Sequence, residues 1–206
     1  MHISVLTPTI RPEYLAVTER SLEAQTYNNF EWLVEIGDPA NGFTLPSDLN
    51  KLLKRAQGTV IVMLQDCISI DEFVLRDIAE LDNRHLYTFP VSKDGKWDWR
   101  RKNNGKITPN MWEADFASAP KQAFYDVGGY DEAFNDGWSW ENVEIAWRMQ
   151  AAGYKFYCEP SICGQAIDHD KKIKHPFRNK LQNNDRRAEE TRAKASRGEY
   201  KLSYVV

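Results

Sequence analysis

Cysteine is scarce in this sequence, and long apolar runs are missing from it. Its three cysteines, Cys67, Cys158 and Cys163, are odd in number and lack the pair spacing of a zinc site or a disulfide framework. No apolar run has the length of a membrane span. The first residues, MHISVLTPTI, lack the basic start and cleavage site of a signal peptide. We therefore expect a cytoplasmic protein without a transmembrane segment.

Gly-rich phosphate loops of the two common types are also missing, which argues against a dinucleotide-binding protein or a P-loop NTPase. The net charge of −3 argues against a generally basic nucleic-acid binder. The charge is uneven, however, since the residues from Lys171 onward hold eleven Lys and Arg against four Asp and Glu. We interpret 171–206 as a basic helical extension of a domain formed by 1–170, with its helix over His175–Arg197. This helix is either a solvated or oligomer-forming face or a surface for an anionic acceptor such as DNA or an acidic lipid.

Strand and helix patterns alternate along the first half of the chain. The predicted strands are Ile3–Leu6, Phe30–Ile36, Val60–Leu64 and Leu86–Val91, and the predicted helices are 12–25, 49–56 and 71–81. This order is typical of an α/β fold with a mostly parallel central sheet and helices on both faces. Residues 92–112 are predicted to form a long flexible loop, which is either an acceptor-side lid or an excursion without a role.

Polar residues follow three of the predicted strands. Thr7-Pro8-Thr9 and Arg11 come after the first strand, Asp38 after the second and Asp66 after the third. Ligands of such sheets bind just beyond the carboxyl ends of the strands. If these strands are neighbours, the polar residues meet in one crevice that suits a nucleotide.

A second polar group opens a later helix. The segment 136–144, DGWSWENVE, presents acids and two tryptophans, with Ser139 as the predicted cap. Glu141, Asn142 and Glu144 then fall in the first helical turn, where the macrodipole favours negative charge. Carboxylates beside flat aromatic rings suit a polar, ring-shaped ligand.

Several of these motifs resemble those of one known family in the same order. The opening stretch resembles the start of a family 2 glycosyltransferase of the GT-A fold, a Rossmann-like fold, and has the sequence ISVLTPTIRPEYLAVTERSLEAQTYNNFEWLVEIGD. IVMLQDC stands where the family has its Asp-rich metal motif, and GWSWENVEIAWRMQAAGY resembles its acceptor-side segment. The resemblance covers roughly 2–170 and implies a nucleotide-binding half, 1–91, and an acceptor and catalytic half, 113–170.

The resemblance implies an inverting enzyme that moves a sugar from a nucleotide-sugar donor, with a UDP-sugar favoured, to an acceptor hydroxyl. On the donor side it implies a nucleoside site formed by Thr7, Pro8, Thr9, Arg11 and Asp38. Asp66, together with His169, would hold a divalent metal, Mn²⁺ or Mg²⁺, on the diphosphate.

On the acceptor side, the resemblance implies a catalytic base in the first turn of the later helix. Asn142 stands where the family has Asp, and an amide does not accept the proton. Glu141 is therefore the first candidate, with Asp136 and Glu144 as substitutes. Trp138 and Trp140 are expected to bind the acceptor by stacking on sugar faces, whereas Trp147 is expected in the core.

Two further hypotheses stay open. Asn142 and the single carboxylate in Gln65-Asp66-Cys67 are compatible with a non-catalytic sugar- or nucleotide-binding protein on the same fold. The basic tail is compatible with a glycosyltransferase that acts on modified nucleic acid. The acceptor is accordingly a glycan, a small molecule or a nucleic acid.

Overall fold

A computed structural model of the chain describes residues 1–38, 40, 44–135, 140–167, 181–197 and 199. Four residues singled out from the sequence lie outside these ranges: Asp136, Trp138, Ser139 and His169. So do residues 171–180 and 200–206 of the basic tail.

Strands and helices alternate through the chain as the patterns predict. The first half holds β1 (Ile3–Thr9), α1 (Leu15–Glu23), β2 (Phe30–Ile36), α2 (Leu45–Arg55), β3 (Val60–Leu64), β4 (Ile68–Ile70), α3 (Val74–Glu80) and β5 (Leu86–Thr88). The second half holds β6 (Val91–Lys93), β7 (Lys96–Trp97), β8 (Gly105–Ile107), β9 (Phe116–Pro120), α4 (Lys121–Asp126), α5 (Glu141–Ala151), β10 (Phe156–Cys158), β11 (Gly164–Ala166) and α6 (Leu181–Ser196).

The central sheet has the strand order β2-β1-β3-β9-β5-β10-β8 within the described ranges. β1 lies parallel to β2 and β3, and β10 lies parallel to β5. β9 and β8 run the opposite way, so five of the seven strands share one direction. The predicted α/β fold with a mostly parallel sheet is confirmed.

Both faces of this sheet are covered, and the side chains of β3 show why its sequence is apolar throughout. Val60, Val62 and Leu64 point into a core shared with α1 and α3. Ile61 and Met63 point into a core shared with α2, α4 and α5. Successive side chains of a strand alternate between the faces, so a strand buried on both faces needs apolar residues at every position.

Prolines account for two differences between predicted and observed elements. The predicted helix over 12–25 opens with a 3-10 turn at Pro12–Tyr14 and becomes α-helical only at Leu15. α2 begins at Leu45, four residues before the predicted start, with Pro46 in its first turn. Proline is tolerated there because the first backbone N–H groups of a helix have no partner within the helix.

The predicted strand over Leu86–Val91 is divided between two sheets. β5 belongs to the central sheet, whereas β6 belongs to a smaller sheet with the order β4-β11-β6-β7. Pro90 lies between them and has no N–H to donate to a ladder, which explains the break.

The prediction that 92–112 is a long flexible loop is wrong. This segment holds β7, β8 and two 3-10 turns. Arg100, only 3% exposed, anchors it through Nη2 to Asp98 Oδ2 at 2.6 Å and Nη1 to Asp115 Oδ1 at 2.5 Å. The many charged residues of this segment are typical of a solvated loop, but Arg100 and Asp98 form a buried ion-pair cluster with Asp115.

The described part of the C-terminal tail packs on the domain. Ala188 of α6 is 1% exposed and contacts Phe134 and Trp147, which ties α6 to α5. The division at residue 170 stays a prediction. No helix in the described ranges is long and apolar enough to cross a membrane.

Candidate functional site

The parallel strands β1, β2 and β3 bring the predicted donor-side residues to one edge of the sheet. Thr9 at the end of β1 pairs with Ile36 at the end of β2. The N–H of Gly37 donates to the Thr9 carbonyl at 2.8 Å, which fixes the start of the following loop. Residues that come directly after these strands therefore lie at the carboxyl edge, where ligands of open α/β sheets bind.

A hydrogen-bonded cluster of Thr9, Arg11 and Asp66 lies at this edge. The Thr9 hydroxyl donates to Asp66 Oδ2 at 2.5 Å, and Arg11 Nη2 donates to Asp66 Oδ1 at 2.7 Å. The Arg11 backbone N–H donates to the Thr9 hydroxyl at 2.8 Å, which closes the cluster. Asp66 is 2% exposed, and a carboxylate this deeply buried needs such a partner. The Arg11 side chain keeps 22% of its surface exposed and the Asp66 side chain 3%, so Arg11 is the more accessible partner of this ion pair.

Thr7 lies behind this cluster. Its hydroxyl donates to the Leu64 carbonyl at 2.8 Å and accepts from Trp32 Nε1 at 2.9 Å, and the residue is fully buried. The side chain therefore joins β1 to its neighbours, and a contact of Thr7 with a nucleoside stays a prediction. Pro8 follows on the same strand, is partly exposed and pairs with Glu35 of β2.

Asp38 is exposed just beyond β2, where Oδ1 accepts from the Ala40 N–H at 2.8 Å. The residue before it is Gly37, and the packing explains the glycine. A Cβ there would lie 2.8 Å from Asp48 Oδ2 and 3.3 Å from Ile10 Cγ2. Glycine thus allows the end of β2 to lie against α2. Asp38 is the exposed acid that follows this strand end.

α2 connects the carboxyl edge of the sheet to the segment that precedes α5. Ser47 N–H donates to Asn135 Oδ1 at 3.4 Å. Asn50 accepts from the Tyr130 N–H at 2.8 Å and donates to the Tyr130 carbonyl at 3.0 Å. Sequence reasoning missed Asn50, although an amide beside the apolar Leu49 was a signal of a buried polar contact.

Glu141 and Asn142 open α5, as predicted, but the capping position belongs to Trp140. Trp140 has a left-handed backbone with φ 77, which is uncommon for a bulky residue and often marks a functional region. Glu141 is 7% exposed. Asn142 Oδ1 accepts from the Tyr130 hydroxyl at 3.3 Å. Burial, and then the charge of Glu141, raise the pKa of Tyr130, so this phenol stays protonated and acts as a donor.

Glu144 does not suit the role of a substitute base, because Arg148 bonds both of its carboxylate oxygens. Arg148 Nε and Nη2 donate to its two carboxylate oxygens at 2.8 and 2.6 Å, and both side chains are 1% exposed. Arg148 Nη1 also donates to the Val127 carbonyl at 2.6 Å. The pair therefore fixes α5 against the turn that follows α4.

Trp140, predicted to bind the acceptor, is half-buried between α5 and α6. Its Nε1 donates to Asp185 Oδ1 at 2.5 Å, and its ring centroid lies 5.9 Å from that of Trp147. Trp147 is buried, as expected, and donates to Asn110 Oδ1 at 2.5 Å. Stacking of Trp140 on a sugar stays a prediction.

Within the described part of the chain, which does not include His169, the residues around Asp66 do not fit a divalent metal ion. Both carboxylate oxygens are taken by Thr9 and Arg11, and a cationic group already lies 2.7 Å from Oδ1. The neighbouring Cys67 is buried, and burial and the Asp66 charge raise the pKa of its thiol to about 11. A protonated thiol is a poor ligand for Mg²⁺ or Mn²⁺. Elsewhere in the described ranges, no group of three or more His, Cys, Asp or Glu could hold a metal.

The sheet order and the helices on both faces match those of GT-A glycosyltransferase structures, so the fold is GT-A-like. The chain is similar in structure to S. aureus TarS in complex with UDP-GlcNAc, with a TM-score of 0.65 and 14% identity over 84% of this chain and 60% of that one. It is also similar to the mannosyltransferase PcManGT from Pyrobaculum calidifontis with GDP-Man and Mn²⁺, with a TM-score of 0.61 and 14% identity over 84% of this chain and 58% of that one.

A third similar structure is GalNAc-T7 with UDP, GalNAc and Mn²⁺, with a TM-score of 0.61 and 13% identity over 83% of this chain and 44% of that one. The chain thus spans at most about 60% of the length of these three proteins. No protein-family model and no curated protein matches the sequence. At these identities the likeness establishes the fold.

Proposed function

We propose that this protein is a glycosyltransferase that moves a sugar from a nucleotide-sugar donor to an acceptor hydroxyl with inversion. The observation that carries the proposal is the Thr9–Arg11–Asp66 cluster at the carboxyl edge of the sheet. It combines a partly exposed arginine side chain with a buried carboxylate at the position where α/β sheets bind ligands. The GT-A-like fold supports a nucleotide sugar as the ligand, with UDP favoured by the resemblance of the opening motifs.

On the donor side, the nucleoside would lie along the loops after β1 and β2. Asp38 is exposed there, so its carboxylate is available to a base N–H or a ribose hydroxyl. The diphosphate would then extend toward Arg11, whose planar guanidinium matches phosphate oxygens in charge and geometry.

On the acceptor side, Glu141 would act as the general base. The acceptor oxygen attacks the anomeric carbon, the bond from that carbon to the diphosphate oxygen breaks, and the acceptor proton moves to the Glu141 carboxylate. The nucleoside diphosphate leaves from the opposite face of the sugar. Asn142, held by Tyr130, would position the start of α5 rather than take the proton.

A panel of nucleotide sugars and a thermal unfolding assay test this proposal. We expect a UDP-sugar to raise the Tm, since ligand at 100 times its Kd stabilises the native state by about 2.7 kcal/mol. Asp66→Asn should reduce that shift because it removes the charge that holds Arg11. Asp82→Asn, at an exposed position before β5, is the matched control and should keep the full shift.

Product analysis on the same samples separates two functions. Release of nucleoside diphosphate, or transfer to an added acceptor, supports the enzyme. Binding without either supports the non-catalytic alternative, which Asn142 favours because its amide stands where the resembling family has a carboxylate. No Tm shift with any nucleotide sugar at millimolar concentration would contradict both.

A further inference from the structure

Among the residues that the structure describes, the cation paired with Asp66 is the side chain of Arg11. Arg11 Nη2 lies 2.7 Å from Asp66 Oδ1, and the Thr9 hydroxyl occupies Oδ2 at 2.5 Å. Two of the similar structures contain Mn²⁺ as well as a nucleotide or nucleotide sugar. A metal ion on Asp66 would have to displace the guanidinium from Oδ1 or lie close to it as a second cation.

The local backbone holds Arg11 in this position. Its N–H donates to the Thr9 hydroxyl at 2.8 Å, and Pro12 begins the 3-10 turn directly after it. The guanidinium carbon also lies 5.2 Å from the centre of the Tyr14 ring, a cation–π distance. Two side-chain contacts, to the Asp66 carboxylate and the Tyr14 ring, together with the hydrogen bond of its own backbone N–H, fix a residue whose side chain would otherwise have many rotamers.

The guanidinium retains donors for a ligand. Arginine has five N–H groups, and in the described part of the chain one of them donates to Asp66. With 22% of the side chain exposed, the others can reach phosphate oxygens in the bidentate geometry that arginine forms with phosphate. Asp66 therefore orients the cation from the buried side, and the diphosphate would meet it from the solvent side.

We propose that Arg11, held by Asp66 and Thr9, takes the place of a divalent ion and neutralises the diphosphate of the donor, so that nucleotide binding by this protein is independent of divalent metal. The proposal rests on the proposed function, because it assigns a role within the same site. The negative charge that forms on the leaving diphosphate oxygen is then stabilised by a fixed guanidinium.

Calorimetric titration with UDP, in EDTA and again in Mn²⁺, tests the proposal. For the wild-type protein we expect the same Kd in both buffers within about twofold, well under the tenfold that corresponds to 1.4 kcal/mol. Arg11→Ala should weaken UDP binding roughly 10- to 100-fold in EDTA, which is the value of a hydrogen bond to a charged group. Mn²⁺ should restore part of that loss, since the variant leaves the Asp66 carboxylate open to a metal.

Three controls make the result specific. Uridine, which lacks phosphate, should bind the wild-type protein and Arg11→Ala equally, whereas a variant with a damaged fold would lose both ligands. Arg11→Lys keeps the charge without the planar fork and should bind UDP with intermediate affinity, and it replaces the alanine variant if that one does not fold. Arg20→Ala, at an exposed arginine on α1, should match the wild-type protein.

Two outcomes would overturn the inference alone: UDP binding by the wild-type protein that requires Mn²⁺, or an Arg11→Ala variant that binds UDP as tightly as the wild-type protein in EDTA. Absence of UDP binding in every buffer would overturn the proposed function, and the inference with it.

Discussion

Replacement of Glu141 by glutamine is expected to reduce sugar transfer about 100- to 10,000-fold, the usual contribution of a general base. Glutamine keeps the size and shape of the side chain but does not accept the acceptor proton. Glu141 opens α5 and is 7% exposed, whereas the donor-side cluster is built from β1 and the residues after β3. Nucleotide binding should therefore be nearly unchanged, and turnover and UDP affinity are to be measured on the same preparation.

Two variants serve as references for this experiment. Glu80→Gln, at an exposed position on α3, should keep full turnover. Asn142→Asp introduces the carboxylate of the resembling family beside the Tyr130 hydroxyl. Full turnover by Glu141→Gln, together with a gain in turnover by Asn142→Asp, would move the base from residue 141 to residue 142.

Replacement of Arg148 by methionine is expected to lower the free energy of unfolding by about 3–5 kcal/mol, because it leaves Glu144 buried without its cation. Both side chains are 1% exposed and share two hydrogen bonds. The double variant Glu144→Leu with Arg148→Met should recover much of the loss, since no buried charge remains. Denaturant unfolding of the wild-type protein, Arg148→Met and the double variant measures these free energies. Arg84→Met, at an exposed ion pair, is the control and should show no measurable change.

The loss in Arg148→Met should depend on pH in a defined direction. Burial raises the pKa of Glu144, while the charge and hydrogen bonds of Arg148 lower it. Without Arg148 the pKa rises further. A raised folded-state pKa contributes stability that is present below the unfolded value, about 4.3, and is lost as the pH rises through the folded value. The loss of unfolding free energy in Arg148→Met should therefore be small near pH 4.5 and large at pH 7.5. Equal deficits at both values, or a double variant as unstable as the single one, would contradict this account of the pair.

Local sequence signals predicted the parts of the fold that depend on them. β2 and β3 have the predicted bounds, Phe30–Ile36 and Val60–Leu64, because β3 is a continuous apolar run and β2 is mostly apolar and is followed directly by Gly37. The short strands β4, β7 and β8 were missed because three or fewer residues carry no period. The ordered part of 92–112 depends on Arg100 meeting Asp115, a contact between residues that no local pattern connects.

The candidate site was predictable in its position and less so in its contacts. Strand order brings Thr9, Arg11 and Asp66 together, and the sequence placed all three at strand ends. The sequence did not show that Arg11 would pair with Asp66, because side-chain direction after a strand depends on the turn. Nor did it show that Glu144 would form a buried ion pair with Arg148, although their spacing of four residues on a helix is a known ion-pair spacing.

The position of a bound UDP-sugar, determined by crystallography of the complex without added metal, tests the central claim most directly. The account predicts the uracil and ribose beside Asp38, the diphosphate within hydrogen-bonding distance of the Arg11 guanidinium, and the sugar directed toward Glu141. A nucleotide bound away from the carboxyl edge of β1 and β3, or a diphosphate that makes no contact with Arg11, would contradict it.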